Sequence, residues 1–190
     1  MTKTIRDLFG AFPGGTCWIV GTGPSLVHAS APLFGPGPVI VLNAAIRPVE
    51  AFGLPNPVFS MQKDGCGLRD PHDAAACENA GMVRPQKTAI LLSRDESPEC
   101  FADYRPRYVF GAVADLGAPA WWEFSANCAI HLARLMGCRR LRLVAFDSCT
   151  SGELTNFEGV ENPLYAQQRP RMLALLGPDD LLVQPQVTRG

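Results

Sequence analysis

CWIVGTGPSL, Cys17 to Leu26, passes from an apolar run straight into Gly-Thr-Gly-Pro-Ser. Cys17 to Val20 carry hardly a polar atom and suit a strand buried on both faces. Two glycines, a proline and a serine then impose a sharp exit and a new helix start. Pro24 suits a first helical turn, where its missing N–H would be unpaired anyway. Ser25 adds a hydroxyl beside the positive end of the helix dipole. In a parallel sheet such an exit lies at the carboxyl edge, where ligands sit. Gly21 and Gly23 there admit positive φ and close approach of a ligand to backbone N–H groups. The stretch therefore reads as an anion cradle suited to nucleotide phosphates. A plain strand-to-helix turn is the competing account, because Leu26 stands where the dinucleotide fingerprint needs its third glycine.

Working outward, further short apolar runs recur: PVIVLN (38–43), NPVFSM (56–61), TAILLS (88–93), RYVFG (107–111) and LRLVAFD (141–147). Each suits a buried strand. Ser125 to Cys138 places Ala129, Leu132, Ala133 and Met136 at helical spacing, with Ser125 as a cap and Gly137 as a stop. Strand, crossover helix and strand in repetition predict an α/β fold: a Rossmann-like three-layer sandwich, a mostly parallel sheet of about six strands with helices on both faces. YAQQRPRMLALLG predicts one more helix interrupted by Pro170, and DDLLVQPQ a short edge strand. Residues 1–190 read as a single nucleotide-binding domain, with regions 62–87 and 148–163 as lids or binding loops.

The totals restrict the function. The formal net charge is -1, with 47% hydrophobic and 18% charged residues. Nothing here is the electrostatic footprint of a nucleic-acid or anionic-membrane binder. No run of about 18 apolar residues spans a membrane, and MTKTIRDLFGAF lacks a signal-peptide core. Seven cysteines without CxxC pairs argue for a reducing, cytoplasmic compartment, with Cys17, Cys128 and Cys138 as small core residues. Cys66, His72 and Cys77 match no common zinc spacing. Arg139, Arg140 and Arg142 lie between a helix end and a strand, where basic groups meet helix carbonyls.

Polar residues punctuate the same predicted sheet edge. Asn43 ends the second strand with an amide able to donate and accept at a ribose or base, or simply to form a turn. Asp64 follows the third strand, and Asp147 ends the sixth. A carboxylate there binds a ribose hydroxyl or a magnesium-bound phosphate, or caps the next turn.

In order, these segments resemble two related families. IVGTGPSL (19–26) is similar to the GxGPSL start of the bacterial lipooligosaccharide sialyltransferases, which use a CMP-sugar donor. It is equally similar to that of the family containing the archaeal-type 6-hydroxymethylpterin diphosphokinases and many bacterial and phage proteins. VLNAAI (41–46) resembles their second-strand segment, and FSANCAIHLARLMGCRRLRLVAFD (124–147) their helix–strand–Asp block. The resemblance implies that Gly21, Thr22, Gly23, Pro24 and Ser25 line a nucleotide site. It implies that Asn43 contacts ribose or base, that Ser125 faces the donor phosphates, and that Asp147 closes the site. Thr22 and Ala126 depart from the pattern. The sialyltransferases carry a general-base His after the Asp block, whereas His28, His72 and His131 are the histidines here. Acid–base work then falls to Asp64, Asp147, Glu153 or Glu158, or is unnecessary.

The expected function is a nucleotide-dependent transferase, moving a pyrophosphoryl or glycosyl group from a CMP-sugar or ATP to a small-molecule or glycan acceptor. Asp64 and Asp147 are the catalytic and Mg2+-binding candidates, with Arg169 and Arg171 as phosphate clamps. Trp121 and Trp122 either stack on a base or anchor the core. The alternative is a non-catalytic nucleotide-binding or scaffold protein of the same fold. A methyltransferase is a weaker third reading, since Asn43 stands where the cofactor's ribose is usually held by an acid. A homo-oligomer is left open.

Overall fold

The computed structural model describes residues 3–62, 84–93, 101, 104, 106–111, 115–117, 125–147, 155–159 and 164–186. The strands are β1 (Lys3–Thr4), β2 (Thr16–Val20), β3 (Val39–Leu42), β4 (Val58–Gln62), β5 (Ala89–Ser93), β6 (Arg107–Phe110), β7 (Arg140–Val144) and β8 (Leu181–Val183). They form one sheet in the order β1-β6-β5-β4-β3-β2-β7-β8, and every pairing is parallel. The predicted sheet is thus present, extended by β1 and by the expected edge strand β8.

Strand alternation sorts the side chains into two cores. Cys17, Ile19, Ile40, Leu42, Phe59, Met61, Leu141 and Leu143 face one side. Val20, Val39, Val41 and Val144 face the other. Burial on both faces explains why these strands read as continuous apolar runs. Each such Val, Ile or Leu contributes about 1.5–3 kcal/mol when removed from water.

Helices cover both faces. On the second face, short 3-10 turns over Pro24–His28 and Ala31–Leu33 connect β2 to β3. There, Ile46 and Val49 of α1 (Ile46–Ala51) pack on the valines. On the first face lies α2 (Ser125–Leu135), rich in small residues. Ala126, Cys128, Ala129 and Ala133 are all buried in that core, so the helix lies close on β2, β3 and β4. Gly137, at φ 90°, ends α2 as predicted. Cys138 N–H donates to Ala133 O at 3.0 Å and Gly137 N–H to Arg134 O at 2.9 Å, the paired bonds of a Schellman ending. α3 (Leu164–Leu173) runs through Pro170 instead of breaking there, and Met172 anchors it to the core. Cys17, Cys128 and Cys138 are buried free thiols, as small core residues should be.

Carboxylates stitch the amino edge of the sheet. Asp180 accepts from Leu141 N–H and Gly177 N–H, both at 2.7 Å, and pairs with Arg134. Arg134 also donates to Arg139 O at 2.6 Å, in the connection between α2 and β7. Arg142 turns to Asp179 O, at 2.9 Å. Glu50, near the end of α1, accepts from Gln86, Lys87 and Thr88 N–H and from the Thr88 hydroxyl. Partial burial pushes the Glu50 carboxyl up. The donors at Lys87, Gln86 and Thr88 outweigh this and hold it below the usual glutamate range.

Candidate functional site at the carboxyl edge

The chain leaves β2 toward β3 on one side, and β7 leads to β8 on the other. β2 and β7 therefore flank the switch in strand order, the place where open α/β sheets part their loops. Val20 lies beside Val144, and Val20 beside Val41, so the exits of β2, β3 and β7 stand level.

The Gly-Thr-Gly-Pro-Ser turn is built differently from the expected cradle. Gly21 and Gly23 do not adopt positive φ. What they accommodate is the end of β7. A Cβ on Gly21 would lie 2.7 Å from Ala145 O, and one on Gly23 would lie 2.6 Å from both Ala145 O and Asp147 Oδ1. The glycines let two backbones approach, with Gly23 N–H donating to Ala145 O at 2.8 Å. Pro24 opens a 3-10 turn of five residues, not an α-helix, so the dipole argument fails there. Ser25 N–H donates to Asp147 Oδ2 at 2.8 Å, and its hydroxyl to Oδ1 at 2.5 Å. Both residues are buried. The anion at this turn is the chain's own carboxylate.

β7 stops at Val144, short of the predicted AFD extension, because Ala145 turns left-handed at φ 56°. A non-glycine residue there costs roughly 1–2 kcal/mol. The turn delivers the Ala145 carbonyl to Gly23 and the Asp147 carboxylate to Ser25. Asn43 is left-handed too, at φ 47°, which asparagine tolerates better than most residues. Its carbonyl accepts from Gln62 Nε2 at 3.1 Å, and Gln62 also donates to Ser60 Oγ at 2.7 Å. Ser60 and Gln62 are fully buried. Sequence reading passed over Gln62; the available signal was an amide closing an otherwise apolar strand. Residues 155–159, the described part of the predicted 148–163 loop, form a strap over the β2 exit. Phe157 N–H donates to Thr22 O at 2.8 Å, and Glu158 pairs with Arg47 at 2.7 Å.

α2 connects back to β7 and, as in right-handed crossovers, begins at this same edge. Ser125 caps nothing: its buried Oγ finds no hydrogen-bond partner among the described residues. Asn127, two residues on, is fully buried, and neither its Oδ1 nor its Nδ2 finds one.

The structure thus joins Gly23, Ser25 and Asp147 by direct contact and sets Gly21 against the end of β7, with Val20 level with Val41 at the exits of β2 and β3. Ser125 sits at the same edge on α2. Arg169 and Arg171 lie exposed on α3, and His131 sits midway along α2. Asp64, Glu153, Trp121, Trp122, Cys66, His72 and Cys77 lie outside the described residues. Among the described residues no group of three His, Cys, Asp or Glu side chains forms a metal site, and both Asp147 oxygens already face Ser25. No described helix is long and apolar enough to cross a membrane.

No protein-family model matches the chain, and no characterised relative matches it by sequence. In three dimensions it is similar to a MAf glycosyltransferase from Magnetospirillum magneticum AMB-1, with a TM-score of 0.53 at 15% identity. The match covers 100% of this chain and 37% of the glycosyltransferase. At that identity the likeness establishes the α/β fold.

Proposed function

We propose that this chain is a nucleotide-dependent transferase whose donor sits at the carboxyl edge beside β2 and β7. The observation that carries the reading is the gathering of polar groups at one switch point: Ser25, Asn43, Asp147 and the first turn of α2. Two left-handed, non-glycine residues, Asn43 and Ala145, frame it. Strain of this kind persists where surrounding contacts over-determine it, often at sites. The fold likeness to a MAf glycosyltransferase supports glycosyl over pyrophosphoryl transfer. In glycosyl transfer the acceptor hydroxyl oxygen bonds to the anomeric carbon, the bond from that carbon to the donor phosphate oxygen breaks with its electron pair leaving on the phosphate, and the hydroxyl proton passes to the departing phosphate or to water. The acceptor is a small molecule or a glycan. Asp147 here acts as a positioning group that fixes the β2 exit.

A specific observation favours a second reading. The Ser25 N–H and hydroxyl both serve Asp147, so the turn offers a phosphate fewer donors than expected. A non-catalytic nucleotide binder fits that economy.

Thermal melting with CMP, CDP, UDP and ATP tests the shared claim, since a ligand bound only by the folded state raises the melting temperature. Asn43→Gly keeps the left-handed backbone and removes the amide; at least a tenfold loss of nucleotide affinity is expected. Nucleoside phosphate released from a nucleotide sugar marks the transferase, and binding without release marks the binder. If no nucleotide at millimolar concentration shifts the melt, both readings end.

A further inference from the structure

We propose that the first turn of α2 is a second recognition point, where Ser125 and Asn127 bind an uncharged group carrying a hydrogen-bond donor beside an acceptor. This deepens the donor-site reading and rests on it for location. A buried amide with neither atom partnered is unusual, because nearly all buried polar side-chain atoms are satisfied. Asn127 is 0% exposed, and Ser125, two residues before it in the same turn, is 8% exposed with its Oγ in the same condition. Helical Cβ bonds tilt toward the helix start, so the third residue of α2 leans toward the N–H groups of its first turn. Neither side chain is needed for the helix. Ser125 does not cap it, and Ala126, Cys128 and Ala129 supply the packing.

The chemistry selects the ligand. A phosphate presents acceptors, which would satisfy Nδ2 and the helix N–H groups but set its oxygens against Asn127 Oδ1. A primary amide is complementary to a paired donor and acceptor. The edge of a nucleobase has this form, and so do neighbouring sugar hydroxyls. Ser125 can take either role. The structure therefore argues against a purely phosphate-facing Ser125 and assigns this turn to the neutral part of a donor or acceptor.

Asn127→Leu is the decisive variant, being close in shape and wholly apolar. Replacing a buried group that has no partner by an apolar one is neutral or stabilising, so the melting temperature should hold or rise. Affinity should fall roughly tenfold to a hundredfold for whichever probe carries the recognised edge. The probes are cytidine, uridine, adenosine and guanosine in one arm, glucose and galactose in the other, with pyrophosphate as the charged control. A loss confined to nucleosides identifies a base edge, and one confined to sugars identifies hydroxyls. Sugar binding that Asn127→Leu abolishes, in a chain that binds no nucleotide, would uphold this proposal while ending the donor-site reading. The proposal is overturned if wild type binds neither neutral class. It is also overturned if the variant binds them unchanged, or if it loses several degrees of melting temperature, since Asn127 would then serve the fold.

Discussion

Two polar junctions stand at the same edge of the sheet and are treated in opposite ways. Between β2 and β7, Ser25 and Asp147 are paired: one N–H and one hydroxyl meet two carboxylate oxygens. At the start of α2, Ser125 and Asn127 are as deeply buried, yet their side-chain atoms meet no partner among the described residues. Burial alone therefore does not mark a site. A satisfied buried group builds the fold, whereas an unsatisfied one carries a desolvation cost of about 1–3 kcal/mol that something else must justify. The contrast moves attention from the glycine-rich turn, the obvious motif, to an asparagine that no motif announces.

The hardest blow to the satisfied junction is Gly23→Ala. The new methyl would lie 2.6 Å from a backbone oxygen and from the carboxylate that Ser25 holds. Neither has room to yield without disturbing β7. A loss of about 3 kcal/mol is expected in urea unfolding, at the upper end for overpacking. A loss under about 1 kcal/mol would mean that the β2–β7 exit is loose, and that its glycines are open to a ligand after all. Set beside Asn127→Leu, for which no loss of stability is expected, this pair measures the contrast directly.

That contrast also marks how far the sequence could be read. The strands from β2 to β7 and the end of α2 were legible because short apolar runs and a Schellman glycine are local signals. β1 was not: Lys3 and Thr4 are two exposed residues that become a strand only by lying beside Tyr108 and Val109. The glycines of the opening stretch were legible as necessary but not as to why. Their partner, the end of β7, is folded onto them from far along the chain, and close approach of backbone to ligand looks the same in sequence as close approach of backbone to backbone. Asn127 lies within SANCAIHLA, where one polar residue among small apolar ones passes for a tolerated surface position. Only its burial and its missing partners give it away.

The amino edge supplies a smaller test of the same principle. Glu50 is satisfied by three backbone N–H groups and a hydroxyl, and its carboxyl is held below the ordinary glutamate range. A depressed folded-state pKa means the unfolded chain takes up the proton first as the pH falls. The stabilisation is therefore present above the ordinary glutamate range and is lost as acidification passes down through the folded-state value. Glu50→Gln keeps one acceptor oxygen and loses the charge. A cost of about 1 kcal/mol is expected near neutrality, discounted for the exposure of the group. The gap between variant and wild type should close in acid melts. A gap that widened in acid would contradict the assignment.

The smallest effect on stability belongs to the strap over the β2 exit, and it bears most directly on function. Glu158 meets Arg47 at 2.7 Å with both side chains partly in solvent, so the pair contributes at most about 0.5–1 kcal/mol and less in high salt. The backbone bond from Phe157 to Thr22 and the packing of Phe157 on the second core remain when the pair is removed. Glu158→Gln should therefore barely change urea unfolding. If residues 155–159 help enclose a donor beside Thr22, the same substitution should raise the nucleotide dissociation rate several-fold, and added salt should have that effect on wild type but little on the variant. Equal dissociation rates would confine the strap to the fold and leave recognition to Asn43 and the first turn of α2. Faster release with unchanged stability would instead make the strap the moving part of a site whose walls are already fixed by Ser25 and Asp147.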